Sequence, residues 1–347
     1  MAKYRVGVIG CGGISKPHCS GWAAQDSVEI VAAMDIDEEN LKTRCDEFNI
    51  PNRYTDEKEM LEQEDLDIVS ICTWTGLHAP QTIACAKAGV KGILCEKPMA
   101  EDLQKCRDMV DACEKSGSKL VIAHQRRVMC DWLELKEKIA AGVVGTPATF
   151  IWHTSGGLLN NGSHAVDSMR FLLDDIPVVW VVGKAERKTD RYERGVRIED
   201  FCMLALGFEN GTRGIVSVDL PAEPEPPLKD PVLVGTEGMV VMSHKAIAIT
   251  SAKTAGAEEL DRTRWNPHAR QAADLIAWLD GGPEHNASGR KVLPTIEALM
   301  ACYESMRIKD AVTLPLEPGP SPLDVMIDDG TMPVEVEGMY DIRAKKK

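Results

Sequence analysis

A buried strand that runs directly into a glycine-rich loop restricts the fold of this chain most strongly. Residues 4–9 are mostly apolar, and a helix is predicted from the end of the loop to about Ala24. The loop itself consists of Gly10, Cys11, Gly12, Gly13, Ile14 and Ser15. In a G-x-G-x-x-G pattern the first glycine permits a tight turn and the second lets the backbone approach a pyrophosphate; here serine takes the last position. The pattern predicts a dinucleotide-binding loop, with an ordinary strand–helix turn as the alternative.

The second predicted strand, residues 28–34, ends at Asp35. An acid about twenty residues after the glycine loop accepts hydrogen bonds from the ribose hydroxyls of a dinucleotide and repels the 2′-phosphate of NADP. The residues that follow, Ile36 to Glu39, add only negative charge. We therefore expect the cofactor to be NAD rather than NADP.

Alternation of strands and helices continues through the first third of the chain. Apolar runs at 67–72, 92–95 and 119–123 are separated by helical patterns. This order predicts an α/β fold whose N-terminal Rossmann domain, residues 1–125, contains a doubly wound parallel sheet. Polar groups follow these strands at the edge where open parallel sheets bind ligands. They are Thr73 to Thr75, Glu96 to Pro98, and His124 to Arg127.

Strands outnumber helices from about Ala148 onward, and Asn210-Gly211 is typical of a hairpin turn. Residues 126–316 are therefore predicted to form a C-terminal α/β domain with a large, mostly antiparallel open sheet. A tail follows at 317–347, which begins rich in proline and acid but then carries apolar residues. It either packs on its own or a neighbouring subunit, or is mobile.

Charge and cysteine content exclude several classes of protein. The 347-residue chain has a formal net charge of -14 and a pI near 5.1, which argues against nucleic acid and membrane surfaces as partners. Its 11 cysteines include no C-x-x-C pair, as expected of reduced thiols rather than disulfides or a zinc site. The chain has no signal-peptide pattern and no apolar stretch long enough to span a bilayer. We expect a cytoplasmic protein without a metal.

Two side chains are candidates for proton transfer. Lys97, in Glu-Lys-Pro, places one ammonium group where the strand at 92–95 stops, at the predicted ligand edge. His164 follows a glycine-containing loop and lies one helical turn before Asp167. The near-neutral pKa typical of histidine suits proton transfer, although a structural role is the alternative for His164. Our hypothesis is that Lys97 is the proton-transfer residue of a nicotinamide-dependent oxidoreductase.

Taken together, these motifs resemble the Gfo/Idh/MocA family, named for glucose–fructose oxidoreductase, inositol dehydrogenase and a rhizopine-catabolism protein. The resemblance extends to about Pro315 and rests on five motifs in order. They are the glycine loop, Thr73 to His78, Glu96 to Pro98, His124 to Arg127, and Gly162 to Asp167. It implies hydride transfer between NAD and a hydroxyl-bearing carbon of a sugar, glycoside or cyclitol. It also implies that the open sheet of the second domain forms the interface of a homo-oligomer.

The resemblance further implies a role for individual residues. The family's Glu-Lys-Pro lysine moves the proton of the reacting hydroxyl, which corresponds to Lys97, and the histidine of its G-x-H motif is the acid/base partner, which corresponds to His164. The expected cofactor-binding residues are Gly10, Cys11, Gly12, Gly13, Ile14, Asp35, Thr73, Trp74, His78, Glu96, Lys97, Pro98 and Gln125. The expected substrate contacts are Arg126 or Arg127, Trp152, His153, Asn160 and His164.

One position departs from the family pattern. Family dehydrogenases often carry an aspartate four residues before the histidine, where this chain has Asn160. An amide forms hydrogen bonds but is not a base, which leaves Lys97 and His164 to carry proton transfer. We expect an NAD-dependent dehydrogenase, with oxidation at C3 of a glycoside as one form of the reaction. The alternatives are a glycosidase that oxidises its substrate transiently with NAD, and a non-catalytic sugar- or nucleotide-binding regulator.

Overall fold

The computed structural model describes residues 4–220, 230–243, 245–254 and 256–343, which divide into two compact units. The first unit contains the chain up to Ala100, Lys105–Met129 and Thr263–Val292. The second unit contains Glu101–Gln104, Cys130–Arg262 and the chain from Leu293 onward. This division corrects the contiguous domains expected at 1–125 and 126–316, because a late segment belongs to the first unit.

The early part of the chain alternates strands and helices as predicted. Its elements are β1 (Tyr4–Ile9), α1 (Ser15–Ala23), β2 (Val28–Met34), α2 (Glu38–Phe48), β3 (Asn52–Tyr54), α3 (Glu57–Gln63), β4 (Ile68–Ile71), α4 (Thr75–Lys87), β5 (Gly92–Cys95), α5 (Leu103–Ser116) and β6 (Lys119–Ile122). The strands form a parallel sheet in the order β3-β2-β1-β4-β5-β6. This confirms the predicted doubly wound sheet, whose order reverses between β1 and β4, the point at which such sheets bind ligands.

The central strands of this sheet are buried along almost their whole length. Every residue of β4 and β5 is buried, and so are the last four residues of β1. Continuous burial is expected of parallel strands that helices cover on both faces, and it explains why their sequences are apolar runs rather than alternating patterns. All eleven cysteines are likewise buried thiols, which pack as small apolar groups.

The later part of the chain is richer in strands. Its elements are α6 (Cys130–Ala140), β7 (Pro147–Thr154), a π-helical turn (Leu158–Gly162), α7 (Ser163–Leu172), β8 (Val178–Glu186), β9 (Thr189–Glu193), β10 (Val196–Arg197), β11 (Phe201–Phe208), β12 (Arg213–Val218), β13 (Val232–Gly235), β14 (Gly238–Met242), β15 (Ile247–Ser251), β16 (Glu258–Glu259), α8 (Pro267–Leu279), α9 (Gly289–Ile308), β17 (Val312–Thr313), α10 (Pro322–Asp328) and β18 (Val336–Asp341). Within the described ranges, no helix combines the length and hydropathy required to cross a membrane.

Helix α8 belongs to the first unit because it packs directly on α1. The backbone of Gly21 in α1 approaches α8 so closely that a Cβ on this glycine would lie 2.7 Å from the carbonyl oxygen of His268. At the edge of the same sheet, the backbone N–H of Ile122 donates to the carbonyl oxygen of Ala287 over 2.9 Å. These long-range contacts, which no local sequence pattern encodes, return residues 263–292 to the first unit.

A nine-stranded sheet forms the framework of the second unit, in the order β16-β15-β14-β13-β7-β12-β11-β8-β17. The β7–β12 pair is parallel and the other pairs are antiparallel, which confirms the predicted, mostly antiparallel sheet. Helix α7 packs against β7 and β12, and Ser305 of α9 accepts a hydrogen bond from the backbone of β8. One face of the sheet is therefore covered, with Val181, Leu204 and Val216 completely buried.

The opposite face of this sheet carries exposed apolar side chains on several neighbouring strands. They are Val182, Met203, Ile215, Val234 and Met239, with exposures of 36–45%. In the register of the sheet, Val182 lies opposite Ala205, which lies opposite Ile215. Ile215 in turn lies opposite Ile151, so the row continues across strands that are not neighbours in sequence.

Part of the C-terminal tail is folded onto its own chain. Strand β18 pairs in parallel with β9 in a small sheet of order β10-β9-β18. Arg197 of β10 forms ion pairs with Asp324 and Asp328 of α10, at 3.4 and 2.6 Å. Between residues 322 and 341, therefore, the tail packs on its own chain.

The contact between α1 and α8 predicts opposite outcomes for two helical glycines. Gly21→Ala should destabilise the fold by about 1–3 kcal/mol, because its methyl group would overlap a backbone carbonyl. Gly76→Ala in α4 meets nothing within 4 Å and should be neutral or stabilise by up to about 1 kcal/mol. Urea unfolding followed by circular dichroism measures both, and equal effects of the two substitutions would contradict the packing.

Candidate functional site

The glycine loop follows the carboxyl end of β1, at the reversal point of the parallel sheet. Gly10 has φ = 89°, and a Cβ there would lie 2.9 Å from the backbone of Cys72, so only glycine fits. Gly12 and Gly13 face open space, since a Cβ added to either residue would meet no atom within 4 Å. No side chain caps the N-terminus of α1, so its first backbone N–H groups can bind an anion.

Ser15, which replaces the third glycine, is held by an arginine from a different helix. Its hydroxyl donates to the carbonyl oxygen of Gly12 over 2.6 Å and accepts from Nε of Arg44 over 2.9 Å. Nη2 of Arg44 donates to the same carbonyl over 3.2 Å, and its Nη1 pairs with Glu47. Arg44 was not predicted from the sequence, because α2 brings it to the loop only in the folded chain.

Asp35 supports the same loop from the end of β2. Its Oδ2 accepts a hydrogen bond from the backbone N–H of Cys11 over 2.6 Å, and its Oδ1 accepts from the N–H of Asp37 over 2.9 Å. The residue is half-buried, and each carboxylate oxygen has a second lone pair for another donor. Asp35 is thus fixed beside the loop, where it can accept ribose hydroxyls.

His78 joins the residues that follow β4 and β5. Its Nδ1 lies 2.8 Å from the carbonyl oxygen of Pro98, and its Nε2 lies 3.1 Å from that of Thr73. Since both ring nitrogens engage backbone carbonyls, His78 acts on the site by holding these two strand ends together. Trp74, by contrast, is 60% exposed and has an aromatic face available for a ligand.

Glu96 forms a buried polar cluster immediately before Lys97. Its Oε1 lies 2.8 Å from Nε2 of His18 in α1, and Nδ1 of His18 lies 3.3 Å from the Ser70 hydroxyl. Burial alone would raise the pKa of Glu96, but the hydrogen bond and charge of His18, with the charges of Lys97 and His78, bring that pKa below its ordinary value. Glu96 is therefore ionised at neutral pH. Sequence reasoning missed His18, although its position on the sheet-facing side of α1 was a usable signal.

Lys97 follows the carboxyl end of β5 in the first unit and is half-buried. Its backbone N–H donates to Oε2 of Glu96 over 3.2 Å, so the carboxylate that binds His18 also orients the start of this turn. The structure therefore places the Glu-Lys-Pro segment at the ligand edge of the sheet, together with the glycine loop and Asp35.

The residues after β6 differ in what they can contact. The side-chain nitrogen of Gln125 lies 3.3 Å from Nε2 of His268 in α8, whose pKa burial and the neighbouring His18 lower to about 4. Arg127 is completely buried and donates to the carbonyl oxygen of Asn286 over 3.1 Å. Of the two arginines expected to reach substrate, Arg127 is thus held inside the first unit, whereas Arg126 is partly exposed.

In the second unit, His164 lies at the start of α7 and is half-buried. Asn160, in the π-helical turn before it, is buried; its amide donates to the carbonyl oxygen of Gly156 over 3.2 Å. One turn after His164, the Oδ1 of Asp167 accepts from the Thr295 hydroxyl over 3.1 Å, which links α7 to α9. Asn160 and His164 therefore belong to one short, internally bonded segment.

Trp152 and His153 lie on opposite faces of β7, as adjacent strand residues must. Trp152 is buried on the covered face, where it stacks on Trp132 with ring centroids 6.2 Å apart. His153 lies opposite Ser217, on the face that carries Ile215, whereas α7 packs on the other face. His153 therefore lies on the face of β7 opposite to α7, which carries His164, whereas Trp152 lies on the same face as α7.

The donor set of the described residues fits a dinucleotide rather than a metal. No group of three or more His, Cys, Asp or Glu side chains that could hold a metal ion occurs within the described ranges. The first unit instead combines an open glycine loop, an uncapped helix N-terminus and a fixed carboxylate beside them. These are the groups that bind the pyrophosphate and ribose of a dinucleotide.

Comparison with known proteins agrees with this fit. The chain is 29% identical over 340 residues to a D-apiose dehydrogenase of Paraburkholderia graminis, covering 88% of each chain. It is 28% identical over 301 residues to inositol 2-dehydrogenase 3 of Saccharopolyspora erythraea, covering 82% of this chain and 86% of that one. Its fold matches that of a levoglucosan dehydrogenase in complex with NADH, with a TM-score of 0.79 and 21% identity, over 91% of this chain and all of the other.

Two family sequence profiles match the chain, one in each part. Residues 4–124 match the oxidoreductase family with an NAD-binding Rossmann fold, and residues 151–241 match the Gfo/Idh/MocA C-terminal domain. The first profile describes an NAD-binding fold, and NAD is the cofactor expected from Asp35 and the glycine loop. The chain belongs to the Gfo/Idh/MocA family of NAD-dependent oxidoreductases.

Proposed function

We propose that the protein is a dehydrogenase that transfers a hydride between NAD and a secondary hydroxyl of a sugar, glycoside or cyclitol. The observation that carries this proposal is the position of Lys97, whose ammonium group follows β5 at the ligand edge of an NAD-binding sheet. A protein that only bound a nucleotide would not need a lysine at this point.

The residues of the first unit account for cofactor binding. Gly12 and Gly13 leave room for the pyrophosphate, and the N–H groups at the start of α1 stabilise its charge. Asp35 accepts the ribose hydroxyls, and Trp74 offers an exposed aromatic face. Bound NAD supplies the hydride acceptor for oxidation of the alcohol.

Lys97 and His164 serve in proton transfer in this proposal. An alcohol must lose its hydroxyl proton as hydride leaves its carbon, so a base is required at the hydroxyl oxygen. In its neutral form the Lys97 amine binds that oxygen and accepts the proton, and His164 is the second group proposed for acid/base chemistry. Glu96, which His18 holds in place, orients the turn that carries Lys97. Asn160 assists by hydrogen bonding, because its amide is not a base.

The class of substrate follows from the relatives. The relatives named above are dehydrogenases of D-apiose, inositol and levoglucosan, which all carry several hydroxyl groups. We therefore propose a polyhydroxylated alcohol as substrate, with oxidation at C3 of a glycoside as a specific form. A panel of sugars, glycosides and cyclitols assayed for NADH at 340 nm distinguishes the alternatives. Net NADH supports the dehydrogenase, cleavage without net NADH supports a glycosidase, and NAD binding without either reaction supports a regulator.

We also propose that the protein is a homo-oligomer. An apolar row of Val182, Ala205, Ile215 and Ile151, of which Val182 and Ile215 are exposed, crosses the open face of the large sheet, and Met203 and Val234 flank it. Contiguous apolar surface of this kind is typical of protein interfaces. Family membership favours a second copy of this chain as the partner that covers this face of the sheet.

Lys97→Ala should reduce turnover by on the order of 10²–10⁴-fold, since it removes the proposed base. NADH affinity, measured by fluorescence titration, should stay close to that of the wild type. Lys91→Ala is the matched control, because Lys91 precedes the same strand and pairs with Asp67 on the surface at 2.7 Å. Retained turnover in Lys97→Ala would remove the central role given to this residue.

Asp35→Ala should weaken NAD binding by about 10- to 100-fold through loss of hydrogen bonds to the ribose. Asp37→Asn removes a negative charge two residues away and keeps a side chain that can cap α2, so it should bind NAD like the wild type. Isothermal titration calorimetry measures both dissociation constants. An unchanged constant for Asp35→Ala would contradict the ribose assignment.

Ile215→Asp should shift the protein to a smaller assembly, since it places a charge in the middle of the apolar row. Ile308→Asp, at the end of α9, makes the same substitution at an exposed isoleucine outside the apolar row and should leave the assembly unchanged. Sedimentation velocity reports the mass of each variant. A wild-type monomer would refute the proposed homo-oligomer.

A further inference from the structure

We propose that Asp219 and Glu199 are positioning residues whose carboxylates hold the segment that carries Asn160 and His164. The inference rests on the proposed dehydrogenase function, in which His164 moves a proton. Both carboxylates belong to the second unit, as does the segment they hold. Neither was identified from the sequence, because they lie about 40 and 60 residues away from the segment along the chain.

Three consecutive backbone N–H groups donate to these two carboxylates. Gly156 donates to Oδ1 of Asp219 and Gly157 donates to its Oδ2, each over 2.8 Å. The next N–H, that of Leu158, donates to Oε1 of Glu199 over 2.5 Å. Successive N–H groups that converge in this way form a concave anion-binding surface, and here the anions are supplied by the protein itself.

The loop requires this external support because of its backbone conformation. Gly156 and Gly157 both have positive φ, at 92° and 85°. Neither helix nor sheet pairing satisfies donors in this conformation, and unpaired buried N–H groups are costly. Gly157 is buried, and so is Leu158 after it. The carboxylates therefore supply the hydrogen bonds that hold this turn in one geometry.

Glu199 is a buried acid with a second partner. It is completely inaccessible to solvent, and its Oε2 accepts from the Tyr303 hydroxyl of α9 over 2.6 Å. Burial raises its pKa, and the bonds from Tyr303 and the Leu158 N–H act against that shift. Because a completely buried acid that is hydrogen-bonded through both oxygens has little freedom to move, Glu199 gives Leu158 a rigid anchor.

Asp219 is held in place by a backbone hydrogen bond and by the guanidinium group of Arg191. Its N–H donates to the carbonyl oxygen of Thr154 over 2.9 Å, and its Oδ2 lies 3.2 Å from Nη1 of Arg191. The same guanidinium nitrogen donates to the carbonyl oxygens of Glu199 and Asp200, over 2.8 and 3.1 Å. Arg191 thus links the two carboxylate-bearing segments to each other.

The C-terminal strand supports this arrangement. Arg191 lies in β9, which pairs with β18, and Tyr340 is opposite Arg191 in that pairing. The tail therefore stabilises the strand from which Arg191 reaches Asp219. This assigns a structural role to residues 336–341.

Hydrogen bonds connect Gly156 and Gly157 to the segment that carries Asn160 and His164. The carbonyl oxygen of Gly157 accepts from the N–H groups of Asn161 and Gly162, over 3.1 and 3.2 Å, and so begins the π-helical turn. The Asn160 amide donates to Gly156, and His164 follows two residues after this turn. A shift of the glycines therefore moves Asn160 and His164, and a misplacement of about 1 Å can cost on the order of 10²-fold in rate.

The test compares Asp219→Asn with Asp200→Asn. Asp200 also binds two backbone N–H groups, those of Lys188 and Thr189 over 2.6 and 2.8 Å, but in the turn between β8 and β9. Each substitution removes one charge. The two N–H groups at Asp219 use different oxygens, so asparagine cannot accept both. At Asp200 both N–H groups use Oδ2 and the Thr189 hydroxyl uses Oδ1, so asparagine can still accept both N–H groups. Hydrogen–deuterium exchange of the peptide 155–165 and steady-state kinetics with the best substrate of the panel are measured for both variants and the wild type.

We expect faster exchange in peptide 155–165 for Asp219→Asn only, together with a loss of kcat on the order of 10²-fold. NADH affinity should not change, because the cofactor groups belong to the first unit. Glu199→Gln provides a second variant with the same expected direction in case Asp219→Asn fails to fold. Unchanged exchange would overturn the proposal, and so would faster exchange with kcat equal to that of Asp200→Asn.

The exchange measurement separates this inference from the proposed function. If the wild type oxidises no member of the panel, the dehydrogenase proposal fails, and exchange alone then decides whether the carboxylates hold the loop. If the wild type is active and the loop loosens without kinetic effect, the proposed function stands and the positioning role fails.

Discussion

The buried hydrogen bond between His18 and Glu96 is the interaction on which the ligand edge of the first unit depends. It joins α1, which begins at the glycine loop, to the turn that carries Lys97, over 2.8 Å. This hydrogen bond therefore fixes the glycine loop and Lys97, the candidate base, relative to each other. Removing one partner of this buried hydrogen bond leaves the other unsatisfied, which costs about 1–3 kcal/mol. His78 adds a second connection, since it holds Pro98 and Thr73 at the ends of adjacent strands.

In both units, an aspartate carboxylate holds a glycine-containing loop by accepting hydrogen bonds from its backbone N–H groups. In the first unit the Asp35 carboxylate accepts the N–H of Cys11, and in the second the Asp219 carboxylate accepts those of Gly156 and Gly157. Glycine permits the backbone conformation, but it also leaves the chain free to adopt others. A charged acceptor selects one of them, because hydrogen bonds to ionised groups are stronger than neutral ones. The loops that the proposed chemistry needs are thus rigid where an isolated glycine segment would not be.

Local patterns predicted the first unit well, since each element there is identified by residues close together in sequence. The glycine loop, Asp35 after β2 and Lys97 after β5 all lie where the apolar runs placed them. Three features escaped prediction because they depend on long-range contacts: the return of residues 263–292 to the first unit, the Arg44 contact with Ser15, and the carboxylates behind Gly156. Alternation along β7 also separates Trp152 from His153, which lies on the face opposite to α7.

Apolar periodicity and glycine spacing act over a few residues, so they were sufficient to predict the fold class, the cofactor loop and the types of reactive group. Which polar groups support one another depends on contacts that form only in the folded chain. Burial explains why these particular groups pair. When α1, β5 and the turn at Gly156 lose contact with water, each buried N–H or carboxylate needs a hydrogen-bond partner within the protein. Those partners, His18 for Glu96 and Asp219 for Gly156, come from distant segments that only folding brings together.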